Sequence, residues 1–179
     1  VTELAKRYGG AFYELAAEEG LELRLLEEVD FTVSCFREEP DYLRLLSAPN
    51  LPKKERCGLL DEAFGSALHP YTVNFLKLLC EEGILRELSG CARVYRTCYN
   101  KAHDVLEVTA TSAAPLDEAA QEKLKAKLSA STGKTIDLTV KVDPALLGGI
   151  RLDMDGVQVD GSVRHRLDTL RRSISDVVM

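Results

Sequence analysis

No run of 18 consecutive apolar residues occurs in the 179-residue chain, so no membrane-spanning helix is expected. The longest apolar block, Phe75 to Cys80, is short and is broken by Lys77. Basic charge is also scarce. Lys and Arg number 23 against 29 Asp and Glu, a formal charge of −6, which leaves no general electrostatic footprint for nucleic acid. Aromatic residues are 6% of the chain and none follows Tyr99. The C-terminal part therefore lacks the stacking rings that an RNA-binding α/β module needs. The five cysteines, Cys35, Cys57, Cys80, Cys91 and Cys98, are odd in number and never spaced C-x-x-C. This pattern signals neither a disulfide framework nor a zinc knuckle, and it fits a reducing compartment. The three histidines, His69, His103 and His165, sit in unrelated contexts, none of them H-E-x-x-H. Neither G-x-x-x-x-G-K-[ST] nor G-x-G-x-x-G occurs, so no nucleotide loop is signalled. Asp153-Met154-Asp155-Gly156 begins like a calcium loop but lacks the distal Glu, and reads as a hairpin turn. Catalysis needs a nucleophile–base pair or convergent metal ligands, and no spacing here offers one. No catalytic residue, cofactor or metal is expected. The opening Val1-Thr2-Glu3-Leu4 lacks a charged head followed by a hydrophobic run, so no secretory signal is expected either.

What is present is an ordinary globular balance, 45% hydrophobic and 29% charged, in a length that suits one domain or two small ones. Residues 1–103 read as six helices joined by short loops, a bundle. The first carries Leu4, Tyr8, Ala11 and Leu15, and Gly20 stops it. The second runs from Leu21 to about Arg37, and a short third follows Pro40. The fourth starts at Lys53 and reaches about Leu68. The fifth opens at Pro70 and ends near Gly83. The sixth spans Ile84 to about Lys101. The junction around Asn100 to Asp104 reads as a hinge. Residues 104–179 then change period. Val105 to Thr111 and Ile136 to Val142 alternate as strands. Between them Pro115 opens a helix striped by Leu116, Ala120, Leu124 and Leu128. Ile150 to Met154 and Val157 to Val159 read as a hairpin around Asp155-Gly156. Asp160-Gly161-Ser162 caps a last helix with Val163, Leu167, Leu170 and Ile174. The expected fold class is α+β, a six-helix bundle followed by a small β-α-β-β-β-α domain. A unit as small as the second buries little core on its own.

The helices carry more apolar surface than one core face needs. On the first, Leu4, Tyr8, Ala11 and Leu15 form one stripe, while Ala5, Phe12 and Ala16 form another beside it. A single core stripe needs about 100° of the circumference. The fifth helix leaves only a narrow polar strip around Asn74, Lys77 and Glu81. Two such helices either form a groove for a partner's amphipathic helix or lie at the centre of the bundle. Gly9-Gly10 within a helix costs about 1 kcal/mol per residue against Ala, which close approach of another helix would explain. The last helix gathers Arg164, Arg166, Arg171 and Arg172. With Asp168 among them, they form either a solvated face or a dock for an acidic helix.

Ala5-Lys-Arg-Tyr-Gly-Gly-Ala-Phe-Tyr-Glu-Leu-Ala16, Asn74-Phe-Leu-Lys-Leu-Leu79 and Thr111-Ser-Ala-Ala-Pro-Leu116 each resemble segments of one known family. So do Val142-Asp-Pro-Ala-Leu-Leu-Gly-Gly149 and Asp160-Gly-Ser-Val-Arg-His-Arg-Leu167, in that order and at that spacing. The family is that of the delta subunit of F-type ATP synthases, the oligomycin-sensitivity-conferring proteins. The resemblance implies a non-catalytic stator subunit of a proton- or sodium-translocating ATP synthase. It would lie peripherally on the cytoplasmic face of the bacterial cell membrane, without inserting into it. It also implies that residues 1–103 hold the N-terminal helices of the alpha subunits, through Tyr8, Phe12, Asn74, Phe75 and Leu78. Residues 104–179 would meet the C-terminal region of the b subunits, a surface shaped by Gly148, Gly149, Asp160, Ser162 and Arg164. The alternative is a generic cytosolic two-domain adaptor with no energy-coupling role. Four anchors, Tyr8, Phe12, Phe75 and Leu78, would supply on the order of 6–12 kcal/mol gross to the head contact. Phe75→Asp is expected to detach the protein from the head while leaving it folded.

Overall fold

A computed structural model describes residues 1–48, 51–146, 148–154 and 157–160 of the chain. The fold is mixed α+β, in two compact units, Val1–Lys101 and Ala102–Met179. The first unit contains α1 (Glu3–Glu19), α2 (Glu22–Glu38), α3 (Pro40–Leu46), α4 (Lys53–Phe64) and α5 (Pro70–Glu81). A 3-10 turn at Leu85–Glu87 then leads into α6 (Leu88–Ala102). The second contains β1 (Val105–Ser112), α7 (Glu118–Thr132), β2 (Thr135–Val142), β3 (Ile150–Met154) and β4 (Val157–Asp160).

Local chemistry sets most of the helix ends. Thr2 caps α1 by accepting from the Ala5 N–H at 3.2 Å, and Gly20 closes it in the left-handed conformation at φ 66°. Pro40 and Pro70 sit in the first turns of α3 and α5, where a missing N–H costs nothing. Three expected boundaries move. α4 stops at Phe64 rather than Leu68. The sixth helix starts at Leu88, because the chain leaves Gly83 at φ 72° and makes the 3-10 turn first. α7 starts after Asp117, not at Pro115. The Asp117 carboxylate accepts from the Ala120 N–H at 2.7 Å, and that cap outcompetes the proline as the nucleating signal.

One hydrophobic cluster joins the helices of the first unit. Leu25, Leu46, Leu60, Leu76 and Leu79 are completely buried within it. At its centre Phe12 of α1 stacks on Phe75 of α5, with centroids 4.2 Å apart and planes 6° from parallel. Tyr95 of α6 leans on Phe12 at 5.5 Å, and its hydroxyl donates to the Glu22 carbonyl at 2.9 Å. Gly9 has its reason in packing. A Cβ there would lie 2.6 Å from the Cys91 carbonyl oxygen and 3.1 Å from the Val94 Cβ, so α6 crosses α1 at that point. Gly90 faces Ala5 in the same crossing, its Cβ position 2.9 Å from the alanine Cβ. Gly10 has nothing within 4 Å and serves no such contact.

The sheet of the second unit has strand order β2-β1-β3-β4, with β1 parallel to β2 and antiparallel to β3. α7 makes the crossover between the parallel pair and packs on β2. The register aligns Val108 with Leu138 and with Met154, and Ala110 with Val140 and with Leu152. One face of the sheet therefore collects the apolar positions of three strands. The buried hydrophobic residues of the second unit among those described are few, Val108, Ala110, Ile136 and Leu146, and α7 buries no residue fully. Met154 and Val157 pair across the hairpin, whose turn residues Asp155 and Gly156 lie outside the described residues. So does the expected last helix, with its arginines and its stripe from Val163 to Ile174.

Candidate functional site

The α1 helix offers two apolar stripes, and the crossing with α6 decides which turns inward. Ala5, Gly9, Phe12 and Ala16 are buried. Leu4 and Leu15 are left 45% and 36% exposed, with Tyr8 half-buried between them. On α5, Phe75, Leu76 and Leu79 go into the core while Leu78 stays 43% exposed. The two leftover stripes border a cleft of about 350 Å3 lined by Tyr8, Ala11, Phe12, Leu15, Tyr71, Asn74, Phe75 and Leu78. All five residues expected from the resemblance to meet the head line it. Ala11, Leu15 and Tyr71 complete it, each one helical turn from a residue already named. Their signal was the i, i+3, i+7 stripe, which shows membership of a face but not the face's exposure.

The lining residues differ in role. Phe12 and Phe75, 4% and 6% exposed, form the floor and belong to the unit's own core. Phe75→Asp would therefore place a carboxylate inside the stacked aromatic pair and damage folding, contrary to the expectation of a folded variant. Leu15 and Leu78 form the rims. Asn74 is the exposed polar group among the lining residues. Tyr71 closes one end. The negative charge of Glu19, and after it burial, holds the Tyr71 phenol above the usual pKa. The start of α5 is tied down by Glu28 of α2, a residue that sequence patterning did not single out. Its Oε2 accepts from the His69 N–H at 2.9 Å and from the Thr72 hydroxyl at 2.5 Å, and its Oε1 accepts from Arg24 Nε at 3.1 Å. Glu28 thus fixes the helix that carries half the cleft.

The residues named for the second unit are scattered by comparison. Gly148 and Gly149 take φ of 135° and 84°, conformations that glycine tolerates, and turn the chain into β3. Asp160 ends β4, in register with Arg151. Ser162 and Arg164 lie outside the described residues. Among the described residues, no three His, Cys, Asp or Glu side chains gather as metal ligands, and all five cysteines are free thiols.

An apolar helix–helix cleft on one unit of a two-unit chain suits an adaptor, and the family of the whole chain narrows it. The sequence model described as ATP synthase delta (OSCP) subunit matches residues 4–174. The chain belongs to that family. It is similar to ATP synthase subunit delta of Erythrobacter litoralis, 33% identical over 172 residues that cover 96% of this chain and 94% of the relative. The same protein of Agrobacterium fabrum is 32% identical, covering 97% and 93%, and that of Alkaliphilus oremlandii 28% identical, covering 98% of both. A chain in the structure of the Toxoplasma gondii mitochondrial ATP synthase hexamer shares the fold, with a TM-score of 0.75 over 97% of this chain at 18% identity. As a delta-family chain, the protein is a non-catalytic stator subunit of ATP synthase. A generic adaptor without an energy-coupling role has no support beside this. Among the described residues no helix is long and apolar enough to cross a membrane.

Proposed function

We propose that the α1–α5 cleft receives an amphipathic helix from the catalytic head, the N-terminal helix of an alpha subunit. The six helices of the first unit act as one bundle that holds the cleft open. The part of the chain from residue 104 onward binds the C-terminal region of the b subunits, so that the chain ties the head to the peripheral stalk at the cytoplasmic face of the cell membrane. The observation that carries the reading is the pair of opposed rims, Leu15 at 36% and Leu78 at 43% exposure, over an aromatic floor.

The energetics call for two attachments. Phe12 and Phe75 already serve the fold, so they add contact surface rather than fresh apolar burial. A leucine with two-fifths of its surface left to cover contributes roughly 1 kcal/mol. With Leu15, Leu78, Tyr8, Ala11 and Tyr71 together, the gross gain is about 3–5 kcal/mol, below the range expected from sequence. Association and ordering costs then leave a weak single grip. A second site on the same body raises retention through effective concentration, which is what a stator linker requires. The test is a titration of the full chain with a synthetic alpha-subunit N-terminal peptide, followed by fluorescence anisotropy. Saturable binding that Leu78→Asp abolishes is expected, and equal binding by both proteins removes the cleft from the account.

A further inference from the structure

The apolar cleft is bounded by acid at both ends. Phe12 stacks on Phe75, and Tyr71 meets Glu19, so α1 and α5 run antiparallel and Tyr8 lies level with Leu78. Beyond Leu15, the α1 stripe continues as Glu18 and Glu19, three and four residues on. Beyond Leu78, the α5 stripe continues as Glu82, four residues on, whose N–H still bonds the Leu78 carbonyl at 3.0 Å. All three glutamates are exposed. Glu14 adds a further exposed carboxylate on the outer flank of α1. The nearby cations do not balance them. Lys6 pairs with Glu3 at 2.7 Å, and Lys77 pairs with Asp61 at 2.6 Å on the side of α5 away from the cleft. Arg7, one residue before Tyr8, is exposed at the Glu82 end, and among the described residues no ion pair is formed between the two.

We propose that this cleft selects a helix with basic side chains at both ends of a two-turn apolar face. The inference rests on the cleft reading above and adds the chemistry of the occupant. From Tyr8 to Leu15 the rim rises roughly 10 Å, and the flanking carboxylates stand about one turn further out at each end. The partner's cations therefore sit roughly 20 Å apart, about 14 residues of helix. Between those ends the partner needs apolar residues at i, i+3 or i+4, and i+7. The same acidic border disfavours an anionic lipid surface as the occupant.

The experiment uses the full chain and three synthetic helical peptides that share one apolar face and carry lysine, glutamine or glutamate at both ends. Affinity is measured at about 0.05 M and about 0.5 M salt, where the Debye length falls from above 10 Å to a few ångströms. The lysine peptide is expected to bind about 10-fold tighter than the glutamine peptide at low salt, and the glutamate peptide more weakly still. The spread is expected to collapse at high salt, and also in the variant carrying Glu18→Gln, Glu19→Gln and Glu82→Gln, whose circular dichroism checks that it is folded. If the three peptides bind alike at low salt but all are lost in Leu78→Asp, charge selection is overturned and the cleft survives. If none binds, or Leu78→Asp binds them as well as the native chain, the cleft reading itself falls.

Discussion

Replacing Leu78 by Asp separates binding from folding because Leu78 is a rim residue with 43% of its surface exposed. On folding, the change gives up the part of the leucine that the bundle already covers, roughly 1–1.5 kcal/mol, which is a small share of a domain's stability. On binding it acts twice. The remaining two-fifths of the leucine's apolar surface, worth roughly 1 kcal/mol, no longer meets the docked helix. A carboxylate is also pressed against an apolar surface without a partner, which costs a further 1–3 kcal/mol or so. The sum, about 2–4 kcal/mol, weakens the alpha-peptide affinity by about 30-fold or more. Phe75→Asp provides the contrast. Its ring is 6% exposed and stacked on Phe12 at 4.2 Å, so truncation alone costs about 3–5 kcal/mol before the buried charge is counted. That is a large part of the roughly 5–15 kcal/mol that holds a domain together. Anisotropy titrations and thermal melts on both variants test the argument. A folded Leu78→Asp protein with native affinity, or a Phe75→Asp protein that melts like the native chain, would refute it.

Gly9→Ala is expected to destabilise by about 1–3 kcal/mol, since its Cβ would sit 2.6 Å from the Cys91 carbonyl oxygen. Gly10→Ala meets nothing within 4 Å and should stabilise by about 0.5–1 kcal/mol; urea melts of the pair give both signs. Glu28→Ala leaves the His69 N–H and the fully buried Thr72 hydroxyl without their acceptor, so a loss of about 1–3 kcal/mol should appear in its thermal midpoint. Stability should also fall on the alkaline side. Burial, and then the charge of Glu87, push the Cys91 thiol from 9.0 up to about 11, while burial, and then Glu22, push the Tyr95 phenol upward. Both folded-state values lie above the unfolded ones: the Cys91 contribution is complete below about pH 9 and is lost as pH rises toward 11, while that of Tyr95 begins to fall only above the ordinary phenol value of 10.0. The Cys91 share is about 3 kcal/mol at most, and urea midpoints in Cys91→Ala should show a shallower alkaline decline.

Periodicity made most of the fold legible. Helical spacing marked each helix of the first unit, and two-residue alternation marked β1 and β2 with the faces that their register later aligns. Two apolar stripes on α1 were equally visible. Periodicity could not say which is buried, because that depends on a crossing with α6 some 80 residues away, through Gly9 and Gly90. For the same reason the sequence could not show that Phe75, a lining residue of the cleft, also belongs to the unit's own core. Boundaries moved where a side-chain cap competed with a backbone signal, as Asp117 did with Pro115. The role of Glu28 was not legible because its partners, His69 and Thr72, are distant in sequence, and the acidic pair Glu27-Glu28 reads as a solvated helix face.

The central claim is mechanical: the chain holds the catalytic head against the torque of rotation. Ion-driven ATP synthesis by membranes depleted of this subunit, then given back the native chain or the Leu78→Asp variant, tests it most directly. Depletion is expected to abolish driven synthesis while the head still hydrolyses ATP, the native chain to restore coupling, and Leu78→Asp to restore far less at equal concentration. Full coupling in the depleted membranes would contradict it.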